Sequence, residues 1–150
     1  LVVLAIGADL LAPHSPEERF AQLEKPSSQH WLGTDANEKD ILSRVIHGSR
    51  LSLLAGGLSI LLAIGIGEPV GVVAGYSGGA LDAWLMRFVD VALAFPSILI
   101  ALLVASAMEP GWTAVIIAVG LINVPVFARQ IRSTVLAMRD LDYVVASRAM

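Results

Sequence analysis

The sequence predicts an all-α fold, a polytopic bundle of membrane-spanning helices, and three observations carry that prediction. Hydrophobic residues make up 56% of the chain and charged residues only 15%, where soluble domains carry about a quarter charged. The apolar residues are gathered into runs close to the roughly 20 residues that a helix needs to cross a bilayer. Those runs are continuously apolar, without the polar alternation that a membrane β-strand shows.

The composition also excludes function classes. There is no cysteine, so no disulfide framework or thiolate site can form. A net charge of −3 gives no electrostatic pull toward nucleic acid. Frequent glycine and alanine suit helices whose backbones pack closely within lipid.

Residues 1–12, "LVVLAIGADLLA", read as the end of a first span with Asp9 at its exit. No basic stretch precedes them, so a cleaved signal peptide does not fit, and the expectation is a piece of a longer chain. Residues 13–50 form a polar external segment. Asp35 is a candidate helix cap with Glu38 at capping-box spacing. Ile41, Leu42, Val45 and Ile46 then fall on one face, which predicts a short amphipathic helix at the membrane surface. Residues 51–75 are a second span. Gly67, Gly71 and Gly75 repeat every fourth residue on one face, a helix-packing surface.

Residues 76–88 are a glycine-rich connection ending in a short amphipathic stretch. Residues 89–108 are a third span, with Asp90 at its start and Pro96 inside. After the "EPG" turn, residues 112–128 are a fourth span, anchored by Trp112 at the interface and holding Pro125. Each of these prolines removes a helix hydrogen bond and predicts a kink. Four arginines against two aspartates follow Val126, which predicts that this end and residues 76–88 are cytoplasmic. Residues 13–50 and the "EPG" turn are then external.

Candidate chemistry is sparse. His14, His30 and His47 all lie in the external segment without a metal-ligand spacing, and read as solvated loop histidines. No nucleophile elbow and no phosphate-cradling Gly-Lys-Ser/Thr loop is present. The expectation is therefore no catalytic residue, no metal and no cofactor, with any ATP site on another chain. Glu68 stands inside the second span, where a charge costs a few kcal/mol and often marks a pathway. A position near the inner interface, or a partner such as Arg87 or Arg129, is the alternative.

Three stretches, "HWLGTDANEKDILSRVIHGSRLSL", "AGYSGGALDAWLMRFVDVALAFPSILIA" and "VPVFARQIRSTVLAMRDLDYVVASRAM", together resemble the permease subunits of dipeptide and oligopeptide ABC importers, most closely the C-type subunit. The resemblance implies the type I importer permease fold, a bundle of six spans of which about four are here, in a bacterial or archaeal cell membrane. It implies a second permease subunit, two cytoplasmic ATP-binding subunits and an external solute-binding protein as partners, beside membrane lipid. It also implies that residues 136–150 begin a cytoplasmic coupling helix. Val145, Ala146 and Ser147 occupy the family's Glu-Ala-Ala places, two of them departing from it, and Tyr143, Val144, Arg148 and Ala149 suit the flanking pattern. Leu141, Val144 and Val145 would enter a groove on an ATPase, with Arg139 and Arg148 at its rim. An amphipathic helix lying on the inner leaflet is the other reading of these residues. The function implied is peptide import; a nickel importer of the same family, or a scaffold without transport, are the alternatives.

Overall fold

The structure, a computed structural model, describes residues 2–15, 17–139, 141 and 144. Its elements are α1 (Val2–Ile6), α2 (Ala8–Leu11), α3 (Ile41–Ser77), α4 (Gly79–Ala94), α5 (Ser97–Ala107) and α6 (Trp112–Arg139). Among the described residues the β content is one antiparallel bridge, Thr34 to Asp40. Helices α3 and α6 are each long and apolar enough to cross a membrane, and α4 with α5 makes a third candidate bent by 85°. The chain divides into two compact units, Leu1–Gly56 and Gly57–Met150.

In the first unit the polar segment folds onto the start of α3 around one carboxylate. Asp40 is the N-cap: its Oδ2 accepts the Ser43 N–H at 2.8 Å, and its Oδ1 lies 3.1 Å from His30 Nδ1. Ser43 Oγ accepts the His14 N–H at 3.2 Å, and Thr34 Oγ1 accepts the Glu24 N–H at 2.8 Å while donating to the Ala21 carbonyl at 2.6 Å. His30, Thr34, Asp40 and Ser43 are all buried, and these bonds give each of them a partner, as buried polar groups need. Burial alone would raise the Asp40 carboxyl, but the Ser43 N–H and hydroxyl and the His30 ring outweigh it and hold it below the ordinary carboxylate range. Asp9 pairs with Arg50 at 3.4 Å and His47 at 3.6 Å.

Three sequence expectations are corrected in this unit. The capping box at Asp35 and Glu38 does not form, because Glu38 sits at φ +64°, outside the right-handed helical region. Asp35 instead accepts the Asn37 and Lys39 N–H groups at 2.8 and 2.9 Å and pairs with Arg44, and its carboxyl is lowered chiefly by the Lys39 N–H. The amphipathic helix is not a separate element: it starts at Ile41 and runs without interruption into the second span. His30 is not solvated. It is 4% exposed, and its ring stands 4.5 Å from Phe20 and 5.1 Å from His14.

In the second unit α3 and α6 pack in parallel. A Cβ added to Gly67 would stand 2.6 Å from the Val124 carbonyl, one on Gly71 2.5 Å from the Ala128 carbonyl, and one on Gly75 2.8 Å from Val135 Cβ. Leu62 fills the space above Gly120. The numbers rise together along both helices, so the two run in the same direction. Helix α4 begins beside the end of α6, through Asp82 and Arg132, and α5 packs its Val104 with Ala114 and Ala118 at the start of α6. Helices α4 and α5 therefore carry the chain back from the end of α3 to the start of α6. That path makes the bent pair a broken span, since a re-entrant loop would leave α6 antiparallel to α3.

The break corrects the expectation that Pro96 kinks an intact span. Phe95 is extended at φ −75°, ψ 131°, and Pro96 at ψ 128° becomes the N-cap of a new helix, as the steric restriction on a residue before proline favours. Pro125 and Pro69 stay inside continuous helices.

Candidate functional site

The second unit gathers its charged side chains where α3 ends, α4 begins and α6 ends. Gly78 and Gly79 have φ of +61° and +59°, a conformation that side chains resist, and they reverse the chain so that α4 starts beside the end of α3. The first turn of α4 carries Asp82. Arg132 of α6 grips it with both arms of its guanidinium, Nε to Oδ1 at 2.5 Å and an Nη to Oδ2 at 2.6 Å. This bidentate form is the strongest geometry for such a pair, and both groups are largely shielded within the unit. Two turns further along α4, Asp90 accepts from Arg129 at 2.5 Å in a more exposed pair.

Arg139, the last residue of α6, donates to the Gly75 carbonyl at 3.3 Å. A cation there meets the negative end of the α3 dipole. The guanidinium also closes over the turn, where a Cβ on Gly78 would lie 3.3 Å from it. An apolar groove of about 170 Å³ opens between Tyr76, Val135, Met138, Arg139 and Val144. Leu141 is exposed beside it.

Of the residues the sequence singles out for ATPase coupling, Arg139, Leu141 and Val144 are thus together at this end. Tyr143, Val145, Ala146, Ser147 and Arg148 lie outside the described residues. The glycines Gly67, Gly71 and Gly75 lead into the same end from the α3–α6 contact. Glu68 is exposed beside that glycine face and level with Ala128, which Gly67 touches. Among the described residues neither Arg87 nor Arg129 pairs with it; Arg129 is taken by Asp90. Pro125 borders an apolar recess of about 390 Å³ between α3, α4 and α6, with Val70, Leu85, Val89 and Val124. Pro96 stands at the other end of α4.

Sequence reasoning missed Asp82 as a contact and gave Asp90 and Arg132 no partner. The signal was present: two acids on one apolar helix and two arginines on the next, at span ends, where an unpaired charge is costly. Among the described residues the assembled arrangement pairs no nucleophile with a base. It ties the ends of three helices together through charged and backbone contacts.

Comparison with known proteins converges on one family. The family model described as binding-protein-dependent transport system inner membrane component matches residues 67–150. The glutathione transport system permease protein GsiD of Pectobacterium atrosepticum is 40% identical, covering 100% of this chain and 51% of its own length. The dipeptide transport system permease protein DppC of Alkalihalophilus pseudofirmus is 37% identical over 99% of this chain and 49% of its own. The di/tripeptide transport system permease protein DppC of Pseudomonas aeruginosa is 36% identical over 99% and 52%. The chain spans about half the length of the curated relatives it matches.

Proposed function

This chain belongs to the family of binding-protein-dependent transport system inner membrane components, and from that premise we propose that it is part of a permease subunit of an ATP-driven importer of short peptides. The observation that carries this reading is the pairing of near-complete coverage of this chain with relatives that are named as permeases for glutathione, dipeptides and di- or tripeptides. Their names favour a peptide over a nickel cargo. The subunit would form part of the translocation path with a second permease, receive cargo from an external solute-binding protein and couple to two cytoplasmic ATP-binding subunits.

The segment after Arg139 would be the start of the coupling helix, and the charged end of the second unit would be its seat. The arginines there support a cytoplasmic location. Movement imposed on the segment would pass through Arg139 to the α3–α4 turn and through Arg132 to α4, a rigid-body transfer of the kind that packed helices sustain.

Co-purification of ATPase subunits with the full-length protein tests the proposal. The wild type should retain them, and a Val144→Asp, Val145→Asp double variant should lose them while remaining inserted in the membrane. A wild type that binds no ATPase would sink the importer reading and leave a membrane scaffold. A double variant that still binds would remove the coupling role from this segment alone.

A further inference from the structure

We propose that the exposed face of α4 formed by Trp84, Arg87 and Phe88 binds the phosphate of an anionic phospholipid in the inner leaflet. On helix α4, Leu85 and Val89 border the apolar recess with α3 and α6, Phe88 stands at the edge of that recess, and Asp82 and Asp90 are held by Arg132 and Arg129. Trp84, Arg87, Phe88 and Val91 follow the i, i+3, i+4, i+7 spacing of a second face. Trp84 is 64% and Phe88 68% exposed, and their rings lie 6.4 Å apart. A cavity of about 220 Å³ is lined by Ala83, Trp84 and Arg87.

Arg87 stands apart from the other described arginines of its unit. Arg129, Arg132 and Arg139 each have an acceptor; among the described residues Arg87 has neither an ion pair nor a hydrogen bond. Of the two acids on its own helix, Asp82 is held by Arg132, and Asp90, one turn beyond Arg87, is held by Arg129, which leaves the Arg87 guanidinium to an external anion. A guanidinium fork matches two oxygens of a phosphate, and Trp84, which lines the same cavity, carries an indole N–H as a further donor. The aromatic pair beside them is an apolar surface of the kind found at headgroup level. Free phosphate would use the donors and leave the rings in water, whereas a phospholipid uses both, which selects the lipid. The leaflet follows from the orientation proposed above; the chemistry of the site does not depend on peptide transport.

The test is native mass spectrometry of the full-length permease complex extracted from membranes of phosphatidylethanolamine and phosphatidylglycerol. Arg87→Gln should lower retained phosphatidylglycerol about five-fold, the effect of one basic residue at an anionic surface, with phosphatidylethanolamine little changed. Arg87→Lys should recover part of it. Unchanged phosphatidylglycerol in Arg87→Gln overturns the proposal, and so does a photo-crosslinking residue at Trp84 that labels a protein subunit instead of lipid. Neither readout depends on uptake, so a failed lipid site and a failed importer reading are distinguishable.

Discussion

At the scale of single residues, two positions show how little freedom the sequence leaves. Asp40 caps α3 and also holds the buried His30, so Asp40→Ala removes two supports at once. Loss of a cap costs about 1–2 kcal/mol, and an orphaned buried partner adds about 1–3 kcal/mol; thermal unfolding of the full-length protein should register the loss. The lowered Asp40 carboxyl fixes the sign of the pH dependence. Its stabilisation is present above the unfolded-state value, 3.8, and is lost as pH falls through the still lower folded value. Acid titration of melting temperature should therefore show a fall below about pH 4 that Asp40→Asn lacks. Gly71 is constrained differently. Even a methyl there meets a backbone carbonyl at 2.5 Å, so Gly71→Ala should destabilise by about 1–3 kcal/mol, while Gly65→Ala, with nothing within 4 Å in this chain, should not.

At the scale of elements, the α4–α6 clamp is open to a double-mutant cycle. Asp82→Asn and Arg132→Gln should each weaken the unit, and the two together should cost less than their sum, with a coupling of about 1–3 kcal/mol. The Asp82→Arg, Arg132→Asp exchange should restore part of the stability; strictly additive losses would show that the pair is not coupled. Elements were legible in the sequence to differing depths. The spacing of Gly67, Gly71 and Gly75 marked one face of α3, but spacing carries no information about which helix covers it; that required the register with α6. Pro96 and Pro125 looked alike as isolated prolines. They differ because Phe95 adopts an extended backbone and α5 leaves at 85°, whereas α6 continues through Pro125. The cap moved from Asp35 to Asp40 because both offered a carboxylate at a helix start, and only the second is followed by right-handed backbone with Ser43 at the receiving N–H.

At the scale of the whole molecule, parallel packing of α3 and α6 fixes that the "EPG" turn and the "GYSGG" turn lie at opposite ends of the second unit. Because the chain has no cysteine, single cysteines read this directly. Glu109→Cys should react with an impermeant maleimide on intact cells and Ser77→Cys should not; the reverse pattern would invert the orientation. Fold class and membrane location were readable from composition and run length, since these follow from bulk partitioning. The ion pairs were not, because they depend on which spans become neighbours. That same adjacency has a kinetic side. Arg139 and Gly75 touch across 64 residues of sequence, and a parallel pair cannot zip from a hairpin. While the chain is being made, α3 must enter the bilayer with its glycine groove uncovered, and it stays so until the broken α4–α5 segment has crossed back and α6 has emerged. That interval is an aggregation-prone one for this pair of helices, and whatever attends the nascent protein in the membrane then has to shelter a groove rather than a finished helix pair.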